Sequence, residues 1–396
     1  MSELPEAPNN PGNLFEIATV FLRLGSTAFG GPAVHLAMME EEFVRVRKWL
    51  THQELADLMG AANLVPGPNS TEVAIHVGLR RGGVPGMFLA GACFILPAAL
   101  IVAAIAWAYV QYQRLPAVQS ALYGIKPVVV AIVAQAIFSL VSKVVETWPK
   151  RFVLVIAFVL SVFKVNELLL IFGSGLLLGG TALKSHRRWA DIRPLLLLLG
   201  TISVIAVIPL GWELTNGTSL STSPLNVFLY FLKLGSVLYG SGYVLLSFLQ
   251  ADLVLQWKWL SQAQLFDAVA VGQFTPGPVF TTATFIGYIL CGWQGAIAAT
   301  VGIFLPAFVF VAIGEKLLTT LRSSELTSGF MDGVSASALG LIAAVLVEMG
   351  SAAFVDATSV MVALASLAVL LRFKINSAWL IAAGAVIGIC SSAIAK

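Results

Sequence analysis

Long stretches of this chain show no alternation of apolar and polar faces. Apolar residues dominate 85–111, 128–142, 194–212, 296–313 and 377–395, and the longer of these reach the roughly 20 residues a helix needs to cross a bilayer. A soluble amphipathic helix brings back a polar position every three or four residues, and these segments mostly do not. The pattern predicts an all-α polytopic membrane protein whose main partner is the lipid bilayer. Composition agrees, with 58% hydrophobic and 11% charged residues. The small net charge of +3 gives no sign of a nucleic-acid partner. Residues 1–13 form a polar tail with acids and prolines but no basic region, so a cleaved signal peptide is not expected.

The apolar pattern is interrupted in pairs. LVPGPNSTE (64–72) is answered by FTPGPVFTT (274–282), and FGGP (29–32) by YGSG (239–242). Proline and glycine stop a helix and release backbone groups, which are costly in hydrocarbon unless they line a wet cavity or meet a ligand. The arms 14–29, 33–44, 54–64 and 69–79 are each too short to span alone, so pairs of arms are predicted to enter and leave on one face. A helix that starts just after such a tip aims unpaired N–H groups and its positive end at the break, which outlines an anion site.

These interruptions belong to a duplication. Residues 21–68 align on 231–278 at an offset of 210 with 17 identities in 48 positions, and the match resumes at an offset of 209. The implied organisation is a tail at 1–13, a first repeat at 14–185, a linker at 186–223 with an unpaired span at 194–212, and a second repeat at 224–396. In the first repeat Arg45, Arg47, Lys48, Arg80, Arg81, Lys143, Lys150, Arg151, Lys184, Arg187, Arg188 and Arg193 would share one face, with Arg114 and Lys164 on the other. In the second repeat the bias reverses towards Lys316, Arg322, Arg372 and Lys374. Basic residues concentrate on the cytoplasmic side, so the repeats are expected to be inverted, as in secondary transporters that bind substrate between their halves.

The chemistry expected at the breaks is oxyanion binding. Arg23 and Lys233 occupy equivalent positions inside apolar arms, where a charge costs roughly 3 kcal/mol; attraction of an anion competes with pairing to an acid such as Glu16. Asn69, Ser70 and Thr71 follow the first tip, and Thr281 and Thr282 the second. A capping box of Asn69 with Glu72 is the structural alternative. Glu72, His76 and His35 lack titratable counterparts in the second repeat and are the candidates for proton coupling. Glu40 to Glu42 read as a solvated arm end, and Asp57 and Asp267 as shared acids that pair or cap. Cys93, Cys291 and Cys390 are expected as free, buried thiols, with no metal-site spacing. No catalytic or cofactor motif is present.

FLRLGSTAFGGPAVHLAMMEEEFV, LVPGPNSTEVAIHVGLRRGGVPG and the later FTPGP and FLPA resemble the chromate ion transporter family, in its long-chain two-domain efflux form. The resemblance implies proton-driven chromate export across the cytoplasmic membrane, with sulfate as the structural look-alike. It carries onto Gly30, Gly31, Pro32, Pro66, Gly67 and Pro68 in the first repeat, and onto Gly240, Pro276, Gly277 and Pro278 in the second. The second repeat reads YGSG in place of FGGP, which weakens the carry-over there. A sulfate or other oxyanion carrier, a channel, and a membrane-embedded enzyme or lipid-handling protein are the alternatives, and a homodimer stays open.

Overall fold

A computed structural model of the chain describes residues 13–29, 32–182, 221–239, 242–322, 324–373 and 375–394, with Leu196 and Gly200 as isolated positions. Gly30, Gly31, Gly240 and, but for those two positions, the span expected at 194–212 therefore lie outside the described residues. The first repeat runs α1 (Leu14–Thr27), α2 (Pro32–Glu40), α3 (His52–Ala62), α4 (Asn69–Tyr112), α5 (Pro116–Val144), α6 (Trp148–Val162) and α7 (Glu167–Ala182). The second repeats that order as α8 (Pro224–Val237), α9 (Val244–Phe248), α10 (Gln262–Phe274), α11 (Thr282–Arg322), α12 (Glu325–Ala353), α13 (Ala357–Arg372) and α14 (Ser377–Ile394). Among the described residues, four segments are long and apolar enough to cross a membrane: Asn69–Tyr112, Pro116–Ser142, Val279–Ile313 and Glu325–Ala353.

Local chemistry explains why the two halves break alike. Helix α2 widens into a π-helix over Glu41–Val46, and α9 does so over Leu249–Gln256. Both stop at a left-handed lysine, Lys48 at φ 53° and Lys258 at φ 55°. The Leu50 and Leu260 N–H groups then return to the Phe43 and Leu253 carbonyls, each at 3.1 Å, so the repeated KWL is a helix stop. Capping boxes, Thr51 with Glu54 and Ser261 with Gln264, start α3 and α10 by satisfying their first free N–H groups.

Helix α4 is interrupted at Gly82 and Gly83 (φ 59°, ψ −153°), and α11 at Cys291 and Gly292 (φ 59°, ψ −147°). That combination of angles is essentially reserved for glycine. The chain turns back on itself there. Gly78 packs on Gly86 and Ala90, and Gly287 on Gly295 and Ala299, because small residues let helix backbones touch. The segment before each interruption is thus a short arm, as the sequence predicts.

Helices α1 and α2 also form a hairpin, since Arg47 pairs with Glu16 near its open end and Arg23 with Glu42 nearer its tip. Arg80 reaches Glu54 at 4.0 Å, closing the α3–α4 hairpin at its open end. The halves then interleave: α5 lies against α13 and α14, while α12 lies against α6 and α7. Gly124 meets Gly384 and Gly388, and at the equivalent position Gly333 meets Ser174 and Gly175.

Candidate functional site between the proline-glycine tips

Each PGP tip reaches across to the other repeat. The Gly67 N–H donates to the Leu238 carbonyl at 2.8 Å, and the Gly277 N–H to the Ala28 carbonyl at 2.9 Å. Leu238 is the equivalent of Ala28, so the two bonds are a reciprocal exchange. Residues 65–68 and 275–278 are all buried. Two of the backbone groups released by the proline breaks are therefore satisfied by protein, which is how irregular backbone survives at membrane depth. The tips are sealed where the sequence suggested a wet cavity.

Around this crossing lies a set of buried polar side chains. His35 is 1% exposed; its Nε2–H donates to the Ala28 carbonyl at 3.0 Å and its Nδ1 meets the Ser70 hydroxyl at 3.2 Å. The Ala28 carbonyl can only accept, so Nε2 carries a proton, while the Ser70 hydroxyl can donate to a neutral Nδ1 or accept from a protonated one. Glu72 is fully buried, and neither carboxylate oxygen has a hydrogen-bond partner. A Cβ on Gly67 would fall on its Oε1, so the carboxyl lies against the tip. Tyr239, which follows the Leu238 acceptor, is 3% exposed with an unpartnered hydroxyl and lies close enough to feel the charge of Glu72. The Thr71 hydroxyl is likewise buried without a partner. His76 is 2% exposed, one turn beyond Glu72.

Other expected ligands are engaged elsewhere. Arg23 pairs with Glu42, and its side chain is 56% exposed. Lys233 pairs with Asp252 at 3.1 Å, buried over the Tyr230 and Trp257 rings. Asp252 is the equivalent of Glu42, so both cations are met by acids in the same geometry, and this pairing takes the place of the expected oxyanion contact. Glu16, the acid the sequence offered to Arg23, holds Arg47 instead. Glu42 is 7% exposed and bridges Arg23 and Arg47, which corrects its reading as part of a solvated arm end.

The Thr281 and Thr282 hydroxyls donate to the Pro278 and Val279 carbonyls, both at 2.8 Å, so their protons are spent inside the turn. Asn69 forms no capping bond; its amide reaches Asn63, and the capping box with Glu72 is absent. Asp267 accepts from the Tyr109 hydroxyl at 2.8 Å, and Asp57 from Gln53 at 3.3 Å. The three cysteines are free, but Cys390 is exposed and Cys93 and Cys291 are half-buried. An apolar helix facing lipid exposes its thiol, so the expected burial does not hold. A cavity of about 610 Å³ lies along α10, the arm that runs into the second tip, bounded by Tyr109, Tyr112, Ile125, Asp267, Phe274 and Ile381 among others.

Two features escaped the sequence. The acids Glu42 and Asp252 sit 19 residues after Arg23 and Lys233 in both repeats, a doubled spacing that was available to find them. Tyr239 carried no signal beyond its place in YGSG, where the first repeat has Phe29.

The chromate transporter family model matches residues 15–179 and again 225–389. A chromate transport protein of Cupriavidus metallidurans is 32% identical over 377 residues, 94% of this chain and 91% of that protein. A probable chromate transport protein of Synechococcus elongatus is 31% identical over 361 residues, covering 90% and 89%. An uncharacterised transporter of Methanocaldococcus jannaschii is 29% identical over 356 residues, covering 87% and 86%. No solved structure matches. Two matched segments that coincide with the two hairpin-bearing halves, and relatives aligned along almost their whole length, place this multi-pass membrane protein in the chromate transporter family.

Proposed function

We propose that the chain exports chromate across the cytoplasmic membrane, coupled to protons, from a site where the two PGP tips cross, and so confers chromate resistance. The transport repeats are 14–185 and 224–396, joined by 186–223. The observation that carries the reading is the reciprocal bonding of Gly67 to Leu238 and Gly277 to Ala28 around a carboxyl group without a partner. A bare buried carboxylate is costly, and a proton removes that cost, which makes Glu72 the first proton carrier. His76 lies one turn on, and His35 connects the tip to the cross-repeat carbonyl. The substrate contacts are the tip residues Pro66 to Thr71 and Pro276 to Pro278. Arg23 and Lys233 act as staples of their hairpins.

Inversion of the repeats is supported by depth. Phe88 stacks on Phe308 with centroids 5.4 Å apart. At about 1.5 Å per residue, Phe88 lies about 8 Å past the Gly83 reversal and Phe308 about 24 Å past the Gly292 reversal. Two reversals on one face could not bring those rings together. On opposite faces they are separated by about 32 Å, close to the hydrocarbon thickness of roughly 30 Å.

The experiment is radiolabelled chromate uptake into energised inverted vesicles, competed with sulfate. Accumulation that an uncoupler abolishes supports the reading; flux indifferent to the uncoupler removes the coupling. Sulfate transported equally well moves the assignment to a general oxyanion carrier, because both ions are tetrahedral dianions. Cysteine labelling at position 83 and at Cys291 is expected to report opposite membrane faces, and same-face labelling refutes the inversion.

A further inference from the structure

Glu72 and Tyr239 come from different repeats and lie on either side of the bond from Gly67 to Leu238, the carboxyl against Gly67 and the tyrosine next to Leu238; both are buried and lack hydrogen-bond partners. A buried polar group without a partner asks for an explanation; single ones stand elsewhere among the described residues, such as the Thr327 and Ser337 hydroxyls. Here two orphans are joined by a third, the Thr71 hydroxyl. Thr71 and Glu72 lie in the first turn of α4, where their N–H groups are taken by the Pro68 carbonyl, and Tyr239 follows the Leu238 carbonyl that receives the Gly67 N–H. We infer that Glu72, Tyr239 and Thr71 form one oxyanion pocket across the repeat boundary, and that the anion enters it only together with a proton on Glu72.

The chemistry follows from donors and signs. An oxyanion accepts hydrogen bonds, so every group that touches it must donate. The phenol and the threonine hydroxyl each donate one. A carboxyl donates only when protonated, and when ionised it repels an anion beside it in a site of low dielectric. The proton comes from solvent, and no other bond changes. Arg23 and Lys233 do not supply the charge, since each is held by its own acid.

Among the described residues, no cation bonds to the Glu72 carboxyl. Tyr239 is the titratable neighbour from the second repeat. His35 of α2 approaches through Ser70 with both ring nitrogens engaged, and His76 lies on the same arm. Helices α1 and α3 meet this arm through Phe21, Leu24, Leu55 and Leu58, and α11 meets it through Ala307 and Val311.

This inference rests on the tips being the substrate site, and one titration separates the two claims. Purified full-length protein is titrated with chromate by calorimetry in alkaline buffers of different ionisation heat, where free chromate is the dianion. The expected result is a proton taken up with each anion at pH values where the free protein has lost the Glu72 proton, and none where the free protein keeps it. Glu72→Gln should bind several-fold more weakly, with no proton uptake and a flat pH profile. Tyr239→Phe should bind roughly tenfold more weakly with the uptake retained, and Phe29 of the first repeat shows that a phenyl ring fits this place in the fold. Chromate binding with proton release, as an exchange at one site requires, or with no proton change at any pH of the series, overturns the co-binding while leaving the substrate site standing. Unaltered affinity in both folded variants moves the pocket elsewhere. Absence of chromate binding by the folded wild-type protein removes the tip reading and this inference with it.

Discussion

At the helix stops and the chain reversals of the two repeats the backbone takes nearly the same angles. Lys48 and Lys258 differ by 2° in φ, and Gly83 and Gly292 share φ 59°. The side chains at other equivalent places do not correspond. His35, Glu72 and His76 stand where the second repeat has Leu245, Thr282 and Ile286. Burial differs as well: in α8 every residue from Leu229 to Val237 is buried, whereas α1 exposes Leu22 and Arg23. The duplication has kept what stops and turns the chain and has let the chemistry diverge. One repeat carries the groups that titrate. The other supplies a buried wall with Tyr239 in it.

The largest effect that tests this division concerns the paired cations. Lys233 and Arg23 hold equivalent acids, but the Lys233 and Asp252 side chains are 5% and 12% exposed, while Arg23 is 56% exposed and shares Glu42 with Arg47. Lys233→Met leaves Asp252 buried without its counter-ion and should cost about 3–5 kcal/mol. Arg23→Met should cost at most about 1 kcal/mol, the scale of an exposed pair. Thermal unfolding in detergent measures both, and replacing Lys233 and Asp252 together by Met and Leu should recover most of the loss. Equal losses in the two single variants would mean that the repeats share their energetics as well as their turns.

The breaks were legible in the sequence because proline and glycine act locally. FGGP, the two PGP tips and the GLRRGGVPG reversal each state their backbone consequence within a few residues, and the offset of 210 doubles every signal. The short arms and their pairing on one face followed. The cross-repeat bonds were not legible, since the Leu238 and Ala28 carbonyls look like any others until the chain folds. The ion pairs of Arg23 and Lys233 were legible only in part. A cation in an apolar arm says that something must meet its charge, and the doubled 19-residue spacing points to the acid, but only the closed hairpin brings the two together. Tyr239 is the extreme case, because a lone tyrosine in an apolar segment carries no pattern at all.

The smaller effect lies at the tips themselves, where the same substitution should act differently in each repeat. Gly277 has φ +85°, and a methyl there would lie 2.6 Å from the Ala98 Cβ and 3.2 Å from the Gly25 carbonyl oxygen, both fixed parts of the first repeat. Backbone strain of about 1–3 kcal/mol and overpacking of about 1–3 kcal/mol act together, so Gly277→Ala should lose roughly 2–4 kcal/mol if the packing relaxes in part. Gly67 has φ +141°, and its methyl would meet the Glu72 Oε1, the free end of a side chain that can turn away. Gly67→Ala should therefore keep most of its stability, losing about 1–3 kcal/mol of strain, while displacing the carboxyl from the tip. Unfolding midpoints should rank Gly277→Ala as the less stable variant, whereas the pH dependence of chromate flux should flatten in Gly67→Ala. The opposite ranking, or a Gly67→Ala protein with an intact pH profile, would show that Glu72 gains nothing from lying against the tip, and the asymmetry between the repeats would then be one of sequence without consequence for transport.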